Sequence, residues 1–255
     1  LGTVDGTFYA APSGASVKSL VWYSPKMFSD NGWKVPTTLD DLMTLSNTIA
    51  DAGKIKPWCV GIASGEATGW PVTDWVEDFV LRTAGPDVYD KWVSHAIPFN
   101  DPQIVTAFDA VGEYLKNPKF VNGGFGDVNS IATTAFQDAG LPIVQGQCAL
   151  HRMASFYAAN WPQGTKVAQD GDVFAFYLPA KDTSTKPVLG AGEFVTAFSD
   201  RPEVQALQQF WSSDTWANVK AKASSSLTGG GWITANKGLD VNNLVNPIDK
   251  LSAQI

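Results

Sequence analysis

The sequence has only two cysteines and two histidines, and it is poor in charged residues. Charged residues make up 17% of its 255 positions, whereas hydrophobic residues make up 44%. Without a CxxC motif or a histidine cluster, a metal site is not expected. No apolar run approaches the ~20 residues that span a bilayer. We therefore expect a soluble protein that carries neither a metal nor another cofactor.

Positive charge is also scarce. Lysine and arginine number 18 against 25 aspartate and glutamate residues, which gives a formal net charge of −7. Nucleic acids and anionic membranes are bound through clustered cations. This balance argues against both classes of partner.

The groups needed for nucleophilic catalysis are missing. A triad needs a histidine beside a serine or cysteine, and the sequence has only His95 and His151, with no Gly-x-Ser-x-Gly elbow. His95 lies in a polar stretch, and His151 follows a buried strand. We interpret both as structural.

Carboxylates that could serve a glycosidase are present: Glu66, Asp74, Glu77, Asp78 and Glu193. Asp74, Glu77 and Asp78 share one face near the start of a predicted helix. There the helix dipole favours acidic residues without any catalytic role. A glycoside hydrolase fragment remains the alternative to a binding protein.

Tryptophan, in contrast, is abundant, with ten residues. Such rings either fill cores or form flat platforms for sugar rings. The stretch Thr68-Gly69-Trp70-Pro71 at a helix start predicts backbone N–H donors beside an indole. Glu193, between two glycines, predicts an acceptor for sugar hydroxyls. These features favour carbohydrate binding.

Strand and helix signals alternate, which indicates an α/β architecture. Thr38 and Asp41 form a predicted capping box, and Gly53 is a natural helix end. Cys59 and Cys148 each lie in a strand-like run, and the residues alone leave open two buried thiols or one disulfide. The chain begins at Leu1 without an initiator methionine or a signal peptide, so we expect it to be part of a longer protein.

Taken together, ordered segments across the chain resemble family 1 extracellular solute-binding proteins of ABC sugar importers, most closely the α-glucoside-binding branch. The segments include Val4-Asp5-Gly6-Thr7-Phe8-Tyr9, Val17-Lys18-Ser19-Leu20-Val21-Trp22-Tyr23, Pro57-Trp58-Cys59-Val60-Gly61-Ile62, Ala67-Thr68-Gly69-Trp70-Pro71, Cys148-Ala149-Leu150-His151-Arg152 and Pro187-Val188-Leu189-Gly190-Ala191-Gly192-Glu193.

The resemblance implies a periplasmic-binding-protein-like (type II) α/β fold with two lobes around a hinge and a ligand cleft at that hinge. Residues 13–186 would form the second lobe, and 1–12 with 187–255 part of an incomplete first lobe. The function implied is non-catalytic capture of a sugar for an ABC transporter permease. The protein would be a monomer outside the cytoplasm, in the periplasm or lipid-anchored at the outer face of the membrane.

The resemblance also implies particular residues. Those expected to bind ligand are Thr68, Gly69, Trp70, Phe156, Glu193 and Trp232. Cys59 and Cys148 match paired cysteines of the family, so the resemblance implies a disulfide between them.

Overall fold

The chain is divided into two units, each assembled from separated stretches of sequence. The computed structural model describes residues 2–227 and 230–255 and, of 224–227, the backbone only. Unit 1 comprises Leu1–Val17, Ala154–Ala159 and Gly190–Ile255, and unit 2 comprises Lys18–Met153 and Asn160–Leu189.

This division differs in detail from the lobes that the resemblance implies. The predicted boundaries, at 12/13 and 186/187, lie a few residues before the observed changes at 17/18 and 189/190. Residues 154–159 also belong to unit 1, within a stretch assigned above to the second lobe. The lobe assignment itself stays a prediction.

A four-stranded sheet runs through unit 2. In spatial order its strands are β5 (Lys56–Trp58), β6 (Cys148–Arg152), β4 (Leu20–Tyr23) and β7 (Phe174–Tyr177). β5 runs parallel to β6, and the other two pairings are antiparallel. Every residue of β4 and β6 is buried, as the unbroken apolar run in β4 predicts.

The first strand of this sheet is shorter than its apolar run. Trp58 to Ile62 reads as one strand, but β5 ends at Trp58. Beyond it, the Val60 N–H donates to Asn122 Oδ1 at 2.7 Å and Val60 O accepts from Asn122 Nδ2 at 2.6 Å. A side-chain amide thus takes the place of a neighbouring strand.

Cys59 and Cys148 form a disulfide, with their Cα atoms 6.0 Å apart. Cys148 opens β6, opposite Lys56 of the parallel strand β5, and Cys59 directly follows β5. Both cysteines are fully buried. The structure therefore contains the disulfide that the resemblance implies.

The helices of unit 2 are α1 (Pro25–Asn31), α2 (Leu39–Ala52), α3 (Trp70–Thr83), α4 (Pro86–Val93) and α5 (Pro102–Leu115). The Thr38–Asp41 capping box opens α2 as predicted, and Gly53 ends it with φ 67°. The sequence did not predict α4, a surface helix that buries no side chain. Nowhere in residues 2–227 and 230–255 is a helix both long and apolar enough to cross a membrane.

Unit 1 is built on an antiparallel strand pair. The strands are β3 (Ala10–Val17) and β8 (Gly190–Thr196). Ser13 is an extra residue in β3, since Pro12 pairs with Phe194 and Gly14 with Glu193. This is a β-bulge, a feature that re-aims side chains locally. On the other edge of β3, the Ala15 N–H donates to Ile233 O at 2.6 Å and the Ile233 N–H donates to Ala15 O at 2.9 Å.

The remaining elements of unit 1 are β1 (Thr3–Val4), β2 (Thr7–Phe8), α6 (Pro202–Trp211), α7 (Asp214–Leu227) and α8 (Pro247–Gln254). The helical spacing of Val204, Leu207 and Phe210 predicts a buried apolar face for α6, but Leu207 and Phe210 are exposed. Gln208 is the buried residue, and its amide donates to the carbonyls of Tyr9 and Val195.

Candidate functional site

Two aromatic rings of unit 1 stack on each other. The rings of Phe156 and Trp232 lie 6.1 Å apart between centroids with an interplanar angle of 22°, and both side chains are half-buried. Phe156 lies in a 3₁₀ turn over Ser155–Asn160, and Trp232 follows the glycines of a loop. Offset stacking is a favoured geometry for aromatic pairs. The structure thus joins two residues that the sequence offered as separate platforms.

Glycine 231 makes this pairing possible. Its φ is 100°, and a β-carbon there would lie 2.3 Å from Ser155 O and 2.6 Å from Phe156 Cα. Ser155 Oγ donates to Gly231 O at 2.7 Å, and the Gly231 N–H donates to Asp249 Oδ1 at 2.5 Å. Only a residue without a side chain brings the loop this close to Phe156.

Asp249, which holds that loop, is itself buried. Burial raises the pKa of its carboxyl, against the smaller lowering effect of the hydrogen bond from Gly231. Its second oxygen accepts from Asn246 Nδ2 at 3.3 Å. The Asp249 carboxylate therefore holds the backbone of the loop just before Trp232 through its bond from Gly231.

Glu193 lies near one of these rings, that of Trp232. It is an exposed residue of β8, paired with Gly14 across the strand pair. A β-carbon at Gly14 would be 3.4 Å from Glu193 Oε2 and 3.7 Å from Trp232 Cε3, so the carboxylate and the indole border one spot. Unit 1 thus brings together Phe156, Glu193 and Trp232, whose role in binding stays a prediction.

In unit 2, Trp70 is the first residue of α3 and is half-buried. Phe136 meets its ring edge-on at 5.0 Å between centroids, and the Lys18 ammonium lies 5.6 Å from the ring centroid. A cation at this distance is attracted to the electron-rich face of the indole. Trp70 is therefore held in place by an aromatic and a cationic neighbour.

The backbone donors predicted at this helix start are taken. The N–H of Thr68 donates to Gly65 O, that of Gly69 to Ile62 O and that of Trp70 to Ala67 O. Thr68 Oγ1 also closes the loop, since it accepts from the Ser64 N–H at 3.0 Å and donates to Gly65 O at 2.7 Å. The expectation of donors for a ligand is wrong here, because the tight loop uses these groups itself.

Asp74 and Asp78 belong to a buried network of charges in unit 2. Asp74 pairs with the Lys18 ammonium at 2.6 Å and with Arg152 at 3.5 Å. Asp78 pairs with Arg82 at 2.6 Å and with Arg152. The side chains of Asp78, Arg82 and Arg152 have no exposed surface. Each carboxylate is thus paired with two cations, and Arg152 is shared between them.

The network also fastens the last segment of unit 2. Arg82 donates to the carbonyls of Leu178, Pro179 and Pro187. Ser19 Oγ donates to Asp78 Oδ1 at 2.6 Å and accepts from the Leu189 N–H at 2.8 Å. The Asp78 carboxylate is thus stabilised by the hydrogen bond from Ser19 and by the charges of Arg82 and Arg152.

Ion pairs, and not the helix dipole, account for two of the three acidic residues on this face of α3. Asp74 and Asp78 are buried against cations, so the helix dipole is not what accounts for them. Glu77, the third member, accepts from the Tyr89 hydroxyl at 2.9 Å, and desolvation followed by this bond raises the pKa of Tyr89. The sequence spacing predicted that the three carboxylates share one face of α3. It could not reveal Arg152, which is distant in sequence and pairs with Asp74 and Asp78.

His151 is structural, as interpreted from the sequence. It is buried in β6, and its Nδ1 donates to Cys59 O at 2.9 Å. Burial, and to a lesser extent the charge of Arg152, lowers the pKa of this imidazole to about 4, although the hydrogen bond to Cys59 O acts in the opposite direction. The side chain is neutral at pH 7.

The chain is similar to known proteins in both sequence and fold. A family model described as bacterial extracellular solute-binding protein matches residues 1–224. The chain belongs to this family. The description places such proteins outside the cytoplasm and makes them binding proteins for solutes.

Two curated relatives align with all or nearly all of this solute-binding chain. It is 41% identical over 258 residues to the osmoprotective compounds-binding protein GgtB of Synechocystis sp., covering 100% of this chain and 58% of that protein. It is 39% identical over 258 residues to the alpha-glucosides-binding periplasmic protein AglE of Rhizobium meliloti, covering 98% and 54%. The chain thus spans a little over half the length of these relatives.

Solved structures of low sequence identity have the same fold. The bacterial solute receptor AcbH, described as preferring β-D-galactopyranose, matches with a TM-score of 0.74 at 20% identity, covering 98% of this chain and 60% of that one. A chitin oligosaccharide binding protein matches with a TM-score of 0.69 at 20% identity, covering 99% and 60%. The predicted α/β, periplasmic-binding-protein-like (type II) fold is confirmed.

Proposed function

We propose that this chain is part of a non-catalytic protein that captures a neutral sugar, an α-glucoside or a similar oligosaccharide. The observation that carries the proposal is the stacked Phe156–Trp232 pair with the Glu193 carboxylate beside the indole. Aromatic surface covers the C–H faces of a sugar ring, and a carboxylate accepts hydrogen bonds from its hydroxyls.

The curated relatives support the ligand class. The name of AglE gives alpha-glucosides and that of GgtB gives osmoprotective compounds. Each aligns with this chain over 258 residues. We take the α-glucoside class as the proposal, since it agrees with the aromatic and carboxylate groups of unit 1.

In unit 2 we propose Trp70 as a second aromatic contact for the ligand. Thr68 and Gly69 would act by shaping the loop before α3, because their own N–H groups bond within that loop. The hinge and the cleft between lobes remain expectations from the resemblance.

The proposed partner of the loaded protein is an ABC transporter permease in the membrane. We propose that the protein is a monomer, held in the periplasm or by a lipid anchor at the outer face of the membrane. Bond cleavage is not part of the proposal, because Asp74 and Asp78 are neutralised by buried cations. No cofactor is needed for capture alone.

Calorimetric titration of the 255-residue chain with maltose and with trehalose tests the proposal. We expect saturable binding of at least one of the two sugars in the micromolar range, equivalent to about 8 kcal/mol. Trp232→Ala should weaken it at least about tenfold, because a stacking surface is lost. The matched control is Trp92→Ala, which removes a half-buried indole that contacts Phe99 in unit 2. Absence of saturable heat with both sugars would contradict the proposal.

A further inference from the structure

A lysine that the sequence did not single out reaches the bulge of β3. Ser13 is the extra residue of the bulge, so no residue of β8 lies opposite it in the ladder. The Ser13 carbonyl accepts instead from the Lys220 ammonium of α7 at 3.1 Å. The bulge therefore fixes a positive charge at the edge of the strand pair.

The ammonium arrives at the spot where Glu193 and Trp232 already meet. A β-carbon at Gly14 would lie 2.9 Å from Lys220 Nζ, compared with 3.4 Å from Glu193 Oε2 and 3.7 Å from Trp232 Cε3. Gly14 thus leaves room for a cation, a carboxylate and an indole around one point. We call Gly14, Glu193, Lys220 and Trp232 the bulge notch.

Both charges of the bulge notch keep hydrogen-bonding capacity. An ammonium has three donors, and Lys220 uses one of them on Ser13 O. The ion pairs among the described side chains do not include one between Lys220 and Glu193. Glu193 is exposed and Lys220 half-buried, so a ligand on Trp232 could meet both.

We infer that the bulge notch recognises two neighbouring hydroxyls of a neutral sugar. Lys220 donates to one hydroxyl oxygen and Glu193 accepts from the other, while the ring lies against Trp232. The two charges sum to zero, so the bulge notch selects neutral sugars over acidic or amino sugars. This inference rests on the proposed function and adds a specificity-determining residue, Lys220, to it.

Maltose titration of three variants tests the contacts. Lys220→Met and Glu193→Gln should each weaken binding about tenfold, the loss typical of one charge-assisted hydrogen bond. Gly14→Ala should do the same without changing any charge, because its new methyl displaces only the flexible end of Lys220. Lys237→Met, which removes an exposed lysine of the same unit, should bind as the unaltered chain does.

Selectivity separates recognition from a merely structural role of Lys220. D-glucose, D-glucuronate and D-glucosamine compete with maltose, and the ratios of their inhibition constants are the readout. Glu193→Gln leaves Lys220 uncompensated and should favour glucuronate over glucose about tenfold more than the unaltered chain does. Lys220→Met should shift the ratio toward glucosamine by a similar factor.

The outcomes are distinguishable. If the unaltered chain binds maltose and the three variants bind it equally well, the inference is wrong and the proposed function stands. If Lys220→Met weakens binding and lowers the melting temperature but leaves the ratios unchanged, Lys220 is structural and the inference is also wrong. If the unaltered chain binds trehalose but not maltose, the same variants are titrated with trehalose and the same criteria apply. If it binds neither maltose nor trehalose, the proposed function fails together with the inference.

Discussion

Carboxylates and cations meet in both units, but under opposite conditions of burial. In unit 2, Asp78, Arg82 and Arg152 have no exposed side-chain surface and bond to one another. In unit 1, Glu193 is exposed, and Lys220 approaches it without forming an ion pair. Groups that neutralise each other in the interior stabilise the fold, whereas groups that keep unused donors and acceptors at a surface can bind a ligand.

Removing a charge from the buried network should have the largest effect on stability. Asp78→Ala leaves Arg82 and Arg152 buried without their shared carboxylate, so we expect a loss of about 3–5 kcal/mol in the free energy of unfolding. Urea denaturation measures it. Glu193→Gln is the matched control in unit 1 and should change stability by less than about 0.5 kcal/mol. Equal effects of the two substitutions would break the comparison.

Removing the disulfide tests whether the stability of unit 2 depends on the charge network alone. Replacing Cys59 and Cys148 together by serine should cost about 2–5 kcal/mol, since the bridge closes a separation of 89 residues. Urea unfolding of the double variant measures the loss, and the unaltered chain with reductant should give a similar value. A midpoint that neither reductant nor the substitutions change would contradict this prediction.

The pH dependence of stability sharpens the comparison, because His151 is a buried base next to the positively charged Arg152. Its native pKa of about 4 lies below the ordinary 6.5, so the unfolded chain binds more protons between these values. Stability should therefore fall by about 3 kcal/mol as the pH drops from 7 to 4.

Urea midpoints across this pH range measure the effect. His151→Gln should flatten the fall, and His95→Gln, at an exposed histidine, should not. The raised pKa of Asp249 acts in the opposite direction, because the native state then holds its proton more tightly. A stability profile that is unchanged by His151→Gln would show that another group controls the fall.

The smallest of these effects concerns the loop of unit 1. Gly231→Ala combines a φ of 100° with a clash against the Ser155 and Phe156 backbone, so we expect a loss of about 2 kcal/mol. Gly65→Ala, at φ 58° with open space around it, should cost about 1 kcal/mol. Near-ultraviolet circular dichroism should change only in the first variant, because it separates Phe156 from Trp232.

Local signals in the sequence predicted much of the fold. The Thr38–Asp41 capping box and the helix end at Gly53 depend on residues close together in sequence, and both are found as predicted. The helix α4 was missed because Gly85-Pro86 reads as the end of α3, whereas Pro86 also opens α4.

The candidate site was harder to predict, because its geometry depends on distant residues. Trp232 and Phe156 were named from the resemblance, yet their stacking depends on Gly231 fitting against a turn 76 positions away. Lys220 was not singled out, since only the bulge at Ser13 brings its ammonium to Glu193 and Trp232. Asp74 and Asp78 were attributed to the helix dipole, because nothing near them in sequence reveals Arg152.

The most direct test of capture without cleavage is saturation-transfer NMR of maltose and of trehalose with the 255-residue chain. For at least one of the two sugars, the account predicts transfer to the C–H protons of a sugar ring, its loss in Trp232→Ala and its retention in Trp92→Ala, with the anomeric signals unchanged overnight. Absence of transfer with both sugars, equal transfer in both variants, or the growth of free-glucose signals with purified protein would contradict it.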